Sequence, residues 1–141
     1  MIGINFGSLN SSLSIGKTIA HQFIFKTELL LSETSLRTCP SMISFTENHR
    51  LIGDQASLIL KKNLTSSFQY INRLIGFNPN IPFCQNEYKN YHYVGGKYDS
   101  AENKFSALSE EKLYPEEIII SYLHLLYFSY ITEKNLESEC E

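Results

Sequence analysis

The opening stretch, MIGINFGSLNSSLSIG over residues 1–16, constrains the fold more than any other part of the chain. Ile2, Ile4 and Phe6 alternate with Gly3 and Asn5, the period-two pattern of a half-buried strand. Gly7-Ser8-Leu9-Asn10 interrupts that pattern with turn-forming residues. Ser12, Leu13, Ser14 and Ile15 then resume it. The chain is therefore expected to open as a β-hairpin. A glycine followed by small polar residues at such a tip can aim backbone N–H groups and hydroxyls at a phosphate. A plain hairpin with a serine-rich tip has the same pattern, and the stretch by itself leaves both readings open.

Size and composition narrow what the hairpin can belong to. A chain of 141 residues suffices for one modest domain with a real core. Its 43% hydrophobic and 19% charged residues argue for a globular chain and against disorder. A net charge of −3 with no basic block excludes a surface that binds nucleic acid through phosphate attraction. Cys39, Cys84 and Cys140 are widely spaced and form no CxxC pair, which argues against zinc or dithiol chemistry and for a reduced, cytoplasmic setting. His21, His49, His92 and His124 lack ligand spacing, so no metal site is expected. No basic n-region or apolar h-region is seen at the start, and the apolar run Ile118–Tyr130 is too short to span a bilayer. Cys39 beside Pro40 reads as a packing residue, with no partner base in view. Tyr88, Tyr91, Tyr93 and Tyr98 read as strand surface and core rather than a base-stacking platform.

Along the chain, Thr18–Lys26 is rich in β-formers and predicts a third strand. Glu28–Leu36 is ambiguous between an apolar run and a loop. Pro40 disfavours helix at Cys39, making Arg37–Ser41 a connector. Met42–Thr46 predicts a strand, Glu47-Asn48-His49 a turn, and Leu51–Gly53 a short strand. Asp54 is placed to cap a short helix, Gln55–Lys62, with lysines in its last turn. Ser67–Ile75 predicts a helical turn closed by Gly76 and Pro79. Tyr91–Val94 predicts a strand, Gly95-Gly96 a turn and Lys104–Ala107 another strand. Tyr114-Pro115-Glu116-Glu117 opens the long helix: proline suits its first position and the glutamates meet the positive end of its dipole. Its residues Ile118–Ile131 are apolar nearly all round, which predicts burial on most faces. The polar, acidic tail Thr132–Glu141 is expected to fray.

Five segments in order then carry a resemblance. Gly3-Ile4-Asn5-Phe6-Gly7 with Asn10-Ser11, Pro40-Ser41 with Met42–Phe45, Arg50-Leu51-Ile52-Gly53-Asp54-Gln55-Ala56, Arg73-Leu74-Ile75-Gly76, and Tyr114-Pro115-Glu116-Glu117 stand in the chain. They resemble the start of the nucleotide-binding domain of the 70-kilodalton heat-shock (DnaK-type) chaperones, at nearly that family's spacing. The resemblance implies an α/β, actin-like and ribonuclease-H-like fold, present as a first-lobe fragment with a mixed sheet, a smaller upper subdomain and one long buried helix. Residues 1–36 and 114–141 would form the lower subdomain and residues 37–113 the upper one. It further implies an excised or naturally truncated piece of a larger ATPase, whose second lobe would lie beyond Glu141.

The resemblance places Asn5, Gly7, Ser8, Leu9, Asn10 and Asn72 at positions where the family holds ATP or ADP with Mg2+. Two of them depart from the family pattern. Asn5 stands where the family has an aspartate that organises the metal, and Asn keeps a carbonyl oxygen but loses the charge a hard cation prefers. Asn72 stands where the family has a lysine near the terminal phosphate. Phosphoryl transfer rests on positioning and electrostatics, so both changes predict poor hydrolysis. Ser8 retains a hydroxyl and Leu9 does not, while Lys61 and Lys62 lie too early to replace the lost cation. The pattern is closest to the Hsp70-like subunit of the ribosome-associated complex, then to the 110-kilodalton relatives. It implies a cytoplasmic regulatory partner in protein folding and stress response, binding a J-domain protein or another Hsp70 and neither nucleic acid nor membrane. A working chaperone ATPase and a stand-alone interaction protein are the alternatives. The isolated chain is expected to be inactive and to hold nucleotide weakly at most.

Overall fold

The computed structural model describes residues 1–19, 24–32, 34–91, 97–107 and 112–131. The opening pattern folds as it reads: β1 (Ile2–Phe6) and β2 (Asn10–Ile19) form an antiparallel hairpin in which Ile2 faces Ile15 and Ile4 faces Leu13. β3 (Ile24–Leu29) continues the sheet beyond β2, and the two-residue β4 (Cys39–Pro40) pairs with Asn10 and Ser11 at the start of β2. The third strand thus starts later than Thr18, because Thr18 and Ile19 pair within β2 against Phe25 and Ile24. Residues 20–23 lie outside the described part.

A second antiparallel sheet runs β6–β5–β7, from Arg50–Ile52, Met42–Phe45 and Ser67–Gln69. The turn between β5 and β6 forms as expected: the Thr46 hydroxyl donates to the carbonyl of His49 at 2.8 Å and accepts from its N–H at 3.0 Å. A third sheet, β10–β9–β8, is built from Lys112–Leu113, Lys104–Ser106 and Tyr98–Asp99. Every strand pairing among the described residues is antiparallel. The mixed sheet implied by the resemblance is therefore not found in this part of the fold.

The helical expectations need four corrections. α1 spans Gly53–Leu60 with Ile52 as its N-cap, so Asp54 lies inside the first turn and Lys61 and Lys62 lie beyond the last. The chain enters α1 through Gly53 at φ +57°, which starts the helix one residue before Asp54. Ser67–Gln69 is strand rather than helix, because Phe68 and Ser67 complete a ladder with Ile43 and Ser44. The helical turn expected within Ser67–Ile75 forms at Ile71–Leu74, of the 3₁₀ type. α2 (Pro82–Tyr91) occupies a stretch with no helical signal beyond Pro82 at its first position, and Tyr91 ends it instead of starting a strand. The Pro79 carbonyl accepts from Gln85 Nε2 at 2.6 Å and ties the approach loop to the helix. Residues 92–96, and with them most of the expected strand and its glycine turn, lie outside the described part.

α3 (Pro115–Tyr130) begins where the sequence places it, with Glu117 Oε2 accepting from the Tyr114 N–H at 2.7 Å. Its burial is narrower than expected. Ile118, Tyr122, Leu126 and Tyr130, spaced four residues apart, are fully buried, while Ile120 and Phe128 are 64% and 56% exposed. One stripe of α3 packs on the sheets and the opposite stripe is bare. The tail, residues 132–141, lies outside the described part.

Two aromatic groups hold these parts together. Phe68 meets Phe45 and Phe105 edge-on at 5.8 and 5.9 Å, which joins the second sheet to the third. Phe6 stacks on Tyr122 at 5.7 Å, which joins the hairpin to α3. A buried serine pair, Ser11 Oγ and Ser41 Oγ at 2.7 Å, links β2 to the start of β5 beneath them.

Candidate functional site

The hairpin tip, Gly7-Ser8-Leu9, is tethered from two directions. The Ser41 N–H donates to the Leu9 carbonyl at 2.8 Å. Asn72 Nδ2 donates to Ser8 Oγ at 3.0 Å, a contact between residues 64 apart in sequence. Gly7 is required by close approach: a Cβ there would sit 2.5 Å from the Asn10 carbonyl oxygen. Asn10 itself is drawn into the sheet opposite Pro40. Leu9 projects outward at 67% exposure and offers no polar group. Asn5 is exposed, opposite Ser12 in the hairpin ladder.

Of the sequence-derived site residues, the fold thus brings Ser8 and Asn72 into direct contact. Asn72 is held on the 3₁₀ turn Ile71–Leu74, whose Ile71 and Leu74 are fully buried. Its amide nitrogen is committed to Ser8, and its Oδ1 is buried with no hydrogen-bond donor. Asn5 adds no charge for the metal. Neither Asn5 nor Asn72 brings a formal charge to the tip. Among the described residues, no group of three or more His, Cys, Asp or Glu side chains could hold a metal ion.

A separate cavity of about 280 Å³ opens between β4, β6, the start of α1 and the last turns of α3, lined by Cys39, Arg50, Asp54, Leu125 and Phe128 among others. Sequence reasoning did not find it, because its walls come from four elements with no shared motif. Burial pushes the Cys39 thiol up to about 11; hydrogen bonding from Tyr122 opposes the shift and the Asp54 charge adds to it. Such a thiol is a packing group and not a nucleophile at neutral pH, as its place beside Pro40 suggests. Its alkylation by iodoacetamide should rise about tenfold per pH unit from about pH 8 to 10, whereas an ordinary thiol levels off past about 8.5. Peptide mapping after timed labelling reads this directly, and a plateau by about pH 9 would contradict the buried thiol.

Comparison with known proteins decides the family. The chain matches the family described as Hsp70 protein over residues 1–139. This chain belongs to the Hsp70 family. It is 33% identical over 96 residues to hypoxia up-regulated protein 1 of Xenopus laevis, covering 65% of this chain and 15% of that protein. It is 31% identical over 123 residues to heat shock 70 kDa protein 2 of Paracoccidioides lutzii, covering 83% and 17%. It is 25% identical over 100 residues to heat shock protein 88 of Dictyostelium discoideum, covering 71% and 12%. The chain thus matches only 12% to 17% of the length of these Hsp70-type relatives. Membership makes it a divergent Hsp70-type chain, in a family whose full domain has the actin-like ATPase fold and takes ATP or ADP with Mg2+ as its ligands. Among the described residues no helix is long and apolar enough to cross a membrane.

Proposed function

We propose that this Hsp70-type chain serves a chaperone system as a regulatory nucleotide-domain lobe that does not turn over ATP. The observation that carries the reading is the Asn72–Ser8 contact: where the family resemblance calls for a cation, the tip holds a neutral amide with an unpartnered carbonyl oxygen. Removing one preorganised electrostatic group from a reaction site typically lowers turnover by about 10²–10³-fold. In this reading residues 1–36 and 114–141 form the lower part of the lobe and residues 37–113 the upper part. Partners are other chaperone-system proteins, a J-domain protein or a second Hsp70, in the cytoplasm. Apolar surface supports docking. Ile2 and Ile4 are 41% and 47% exposed on the same hairpin face as buried Ile15 and Leu13, and Ile120 and Phe128 lie bare on α3.

A multiple-turnover ATPase assay on the whole protein, beside an ordinary Hsp70, tests the reading. Turnover is expected to be at least about a hundredfold lower. A rate equal to that of the ordinary chaperone would overturn it.

A further inference from the structure

We infer that the cavity between β4, β6, α1 and α3 binds one α-amino acid with a large apolar side chain, as the zwitterion. The inference goes beyond the regulatory reading and is independent of the hairpin tip. The cavity is about 280 Å³, close to the lower end for a small-molecule site. Arg50, Asp54 and Phe128 are exposed and form its rim, while Cys39, Ile52 and Leu125 are half-buried and form its inner wall. The rim thus carries one positive and one negative side chain beside an aromatic ring. Among the described residues Asp54 makes no ion pair, so the two charges do not neutralise each other in a direct contact.

Each charge is carried by its own element. Asp54 lies in the first turn of α1, where the positive end of the helix dipole favours a charged carboxylate. Its field reaches the inner wall: burial raises the Cys39 thiol and the Tyr130 phenol above their ordinary ranges, and the Asp54 charge adds to both shifts. Arg50 starts β6, with its guanidinium over the Phe45 ring at 5.7 Å and Nη1 donating to Ser121 Oγ at 3.4 Å. A simple anion entering the cavity is attracted by Arg50 and repelled by Asp54, and a simple cation meets the reverse. A dipolar ligand with no net charge gains from both. The ammonium group of an amino acid pairs with Asp54 and its carboxylate with Arg50, whose planar fork matches carboxylate geometry. The rest of the wall selects the side chain. Ile52, Leu125 and Phe128 offer apolar surface, and the Phe128 ring is braced edge-on by His124 at 4.7 Å.

Amide NMR of the whole protein at neutral pH tests the site with three probes of one shape: L-phenylalanine, phenethylamine, which lacks the carboxylate, and 3-phenylpropionate, which lacks the ammonium group. Phenylalanine should shift the Ile52, Gln55 and Leu125 amides saturably, with a dissociation constant of about 1 mM, the range expected for so small a ligand. Each analogue should bind at least about tenfold more weakly, the size expected for one lost charged hydrogen bond. Asp54→Asn should weaken phenylalanine by about tenfold and leave 3-phenylpropionate bound no more weakly than before. Arg50→Gln should weaken phenylalanine to a similar degree and spare phenethylamine. Asp54 is exposed, so its substitution leaves the fold intact. If Arg50→Gln disturbs β6, the analogue series on the parent protein decides the carboxylate half and Asp54→Asn the ammonium half. Shifts at those amides that stay linear to roughly ten times the expected constant would overturn the site. Either analogue binding as tightly as phenylalanine would overturn the zwitterion. None of these readouts depends on ATP turnover, so a protein that hydrolyses ATP rapidly while binding phenylalanine in this way would sink the proposed function and leave the amino-acid site standing.

Discussion

Tyr122→Ala is expected to lower stability by about 3–5 kcal/mol, the range for deleting a large buried aromatic side chain. Tyr122 is fully buried in the middle of the packed stripe of α3. Its ring stacks on Phe6 at 5.7 Å with the planes 22° apart, and its hydroxyl donates to the Pro40 carbonyl at 3.2 Å. One side chain therefore joins three elements: the strand that leads into the hairpin tip, the β4 connector and α3. Burial also holds its phenol above the ordinary tyrosine range, with the nearby Cys39 adding to the shift. Removing the ring opens a cavity under Phe6 that backbone relaxation fills only in part. Tyr122→Phe separates the contributions, since it keeps the stack and loses the hydroxyl, and should fall by only about 1 kcal/mol. Urea unfolding of the three proteins measures both steps. A loss below about 1 kcal/mol in Tyr122→Ala would mean that the hairpin does not depend on this contact.

The second large effect falls on Gly53, and it has two separable parts. Gly53 sits at φ +57°, a left-handed conformation that costs an L-residue with a side chain about 1–2 kcal/mol. A Cβ there would also lie 2.5 Å from Cys39 Sγ and 3.5 Å from Pro40 Cδ. Overpacking of that kind adds about 1–3 kcal/mol. Gly53→Ala should therefore destabilise by roughly 2–5 kcal/mol in urea or thermal unfolding. Combining it with Cys39→Ala removes the sulfur that the methyl meets. The double variant should regain the packing part and keep the backbone part, so the two substitutions should be non-additive by about 1 kcal/mol or more. Strict additivity would place the whole loss in the backbone. A Gly53→Ala protein as stable as the parent would show that the entry to α1 can re-form without the left-handed residue.

The same pair of residues explains a misplaced boundary. Asp54 has good capping chemistry, and local reasoning starts the helix after it. In the fold, the close packing of Gly53 against Cys39 and Pro40 sets where the helix starts, and that contact spans two segments of the chain. Helix α2 is the opposite case. Its asparagines and tyrosines are weak helix formers, so propensity gives no warning of it.

What the amino-acid sequence determined by itself was whatever local chemistry specifies. The opening hairpin, β5 and β6 with their turn, β9, and the start of α3 follow from period-two alternation, turn residues and a Pro-Glu-Glu opening, each acting over a few residues. Five ordered segments also carried the family, because motif and spacing survive where overall identity is 25–33%. Tertiary structure decided the rest. Ser67–Gln69 became a strand because β5 offered it a ladder, and one stripe of α3 stayed bare because the sheets cover the opposite one. Asn72 could be marked as a departure from a family pattern. Only the fold showed that its amide reaches Ser8 across 64 positions and leaves a carbonyl oxygen buried without a donor. Contacts of that range depend on how separate elements pack, and no local pattern in the chain encodes them.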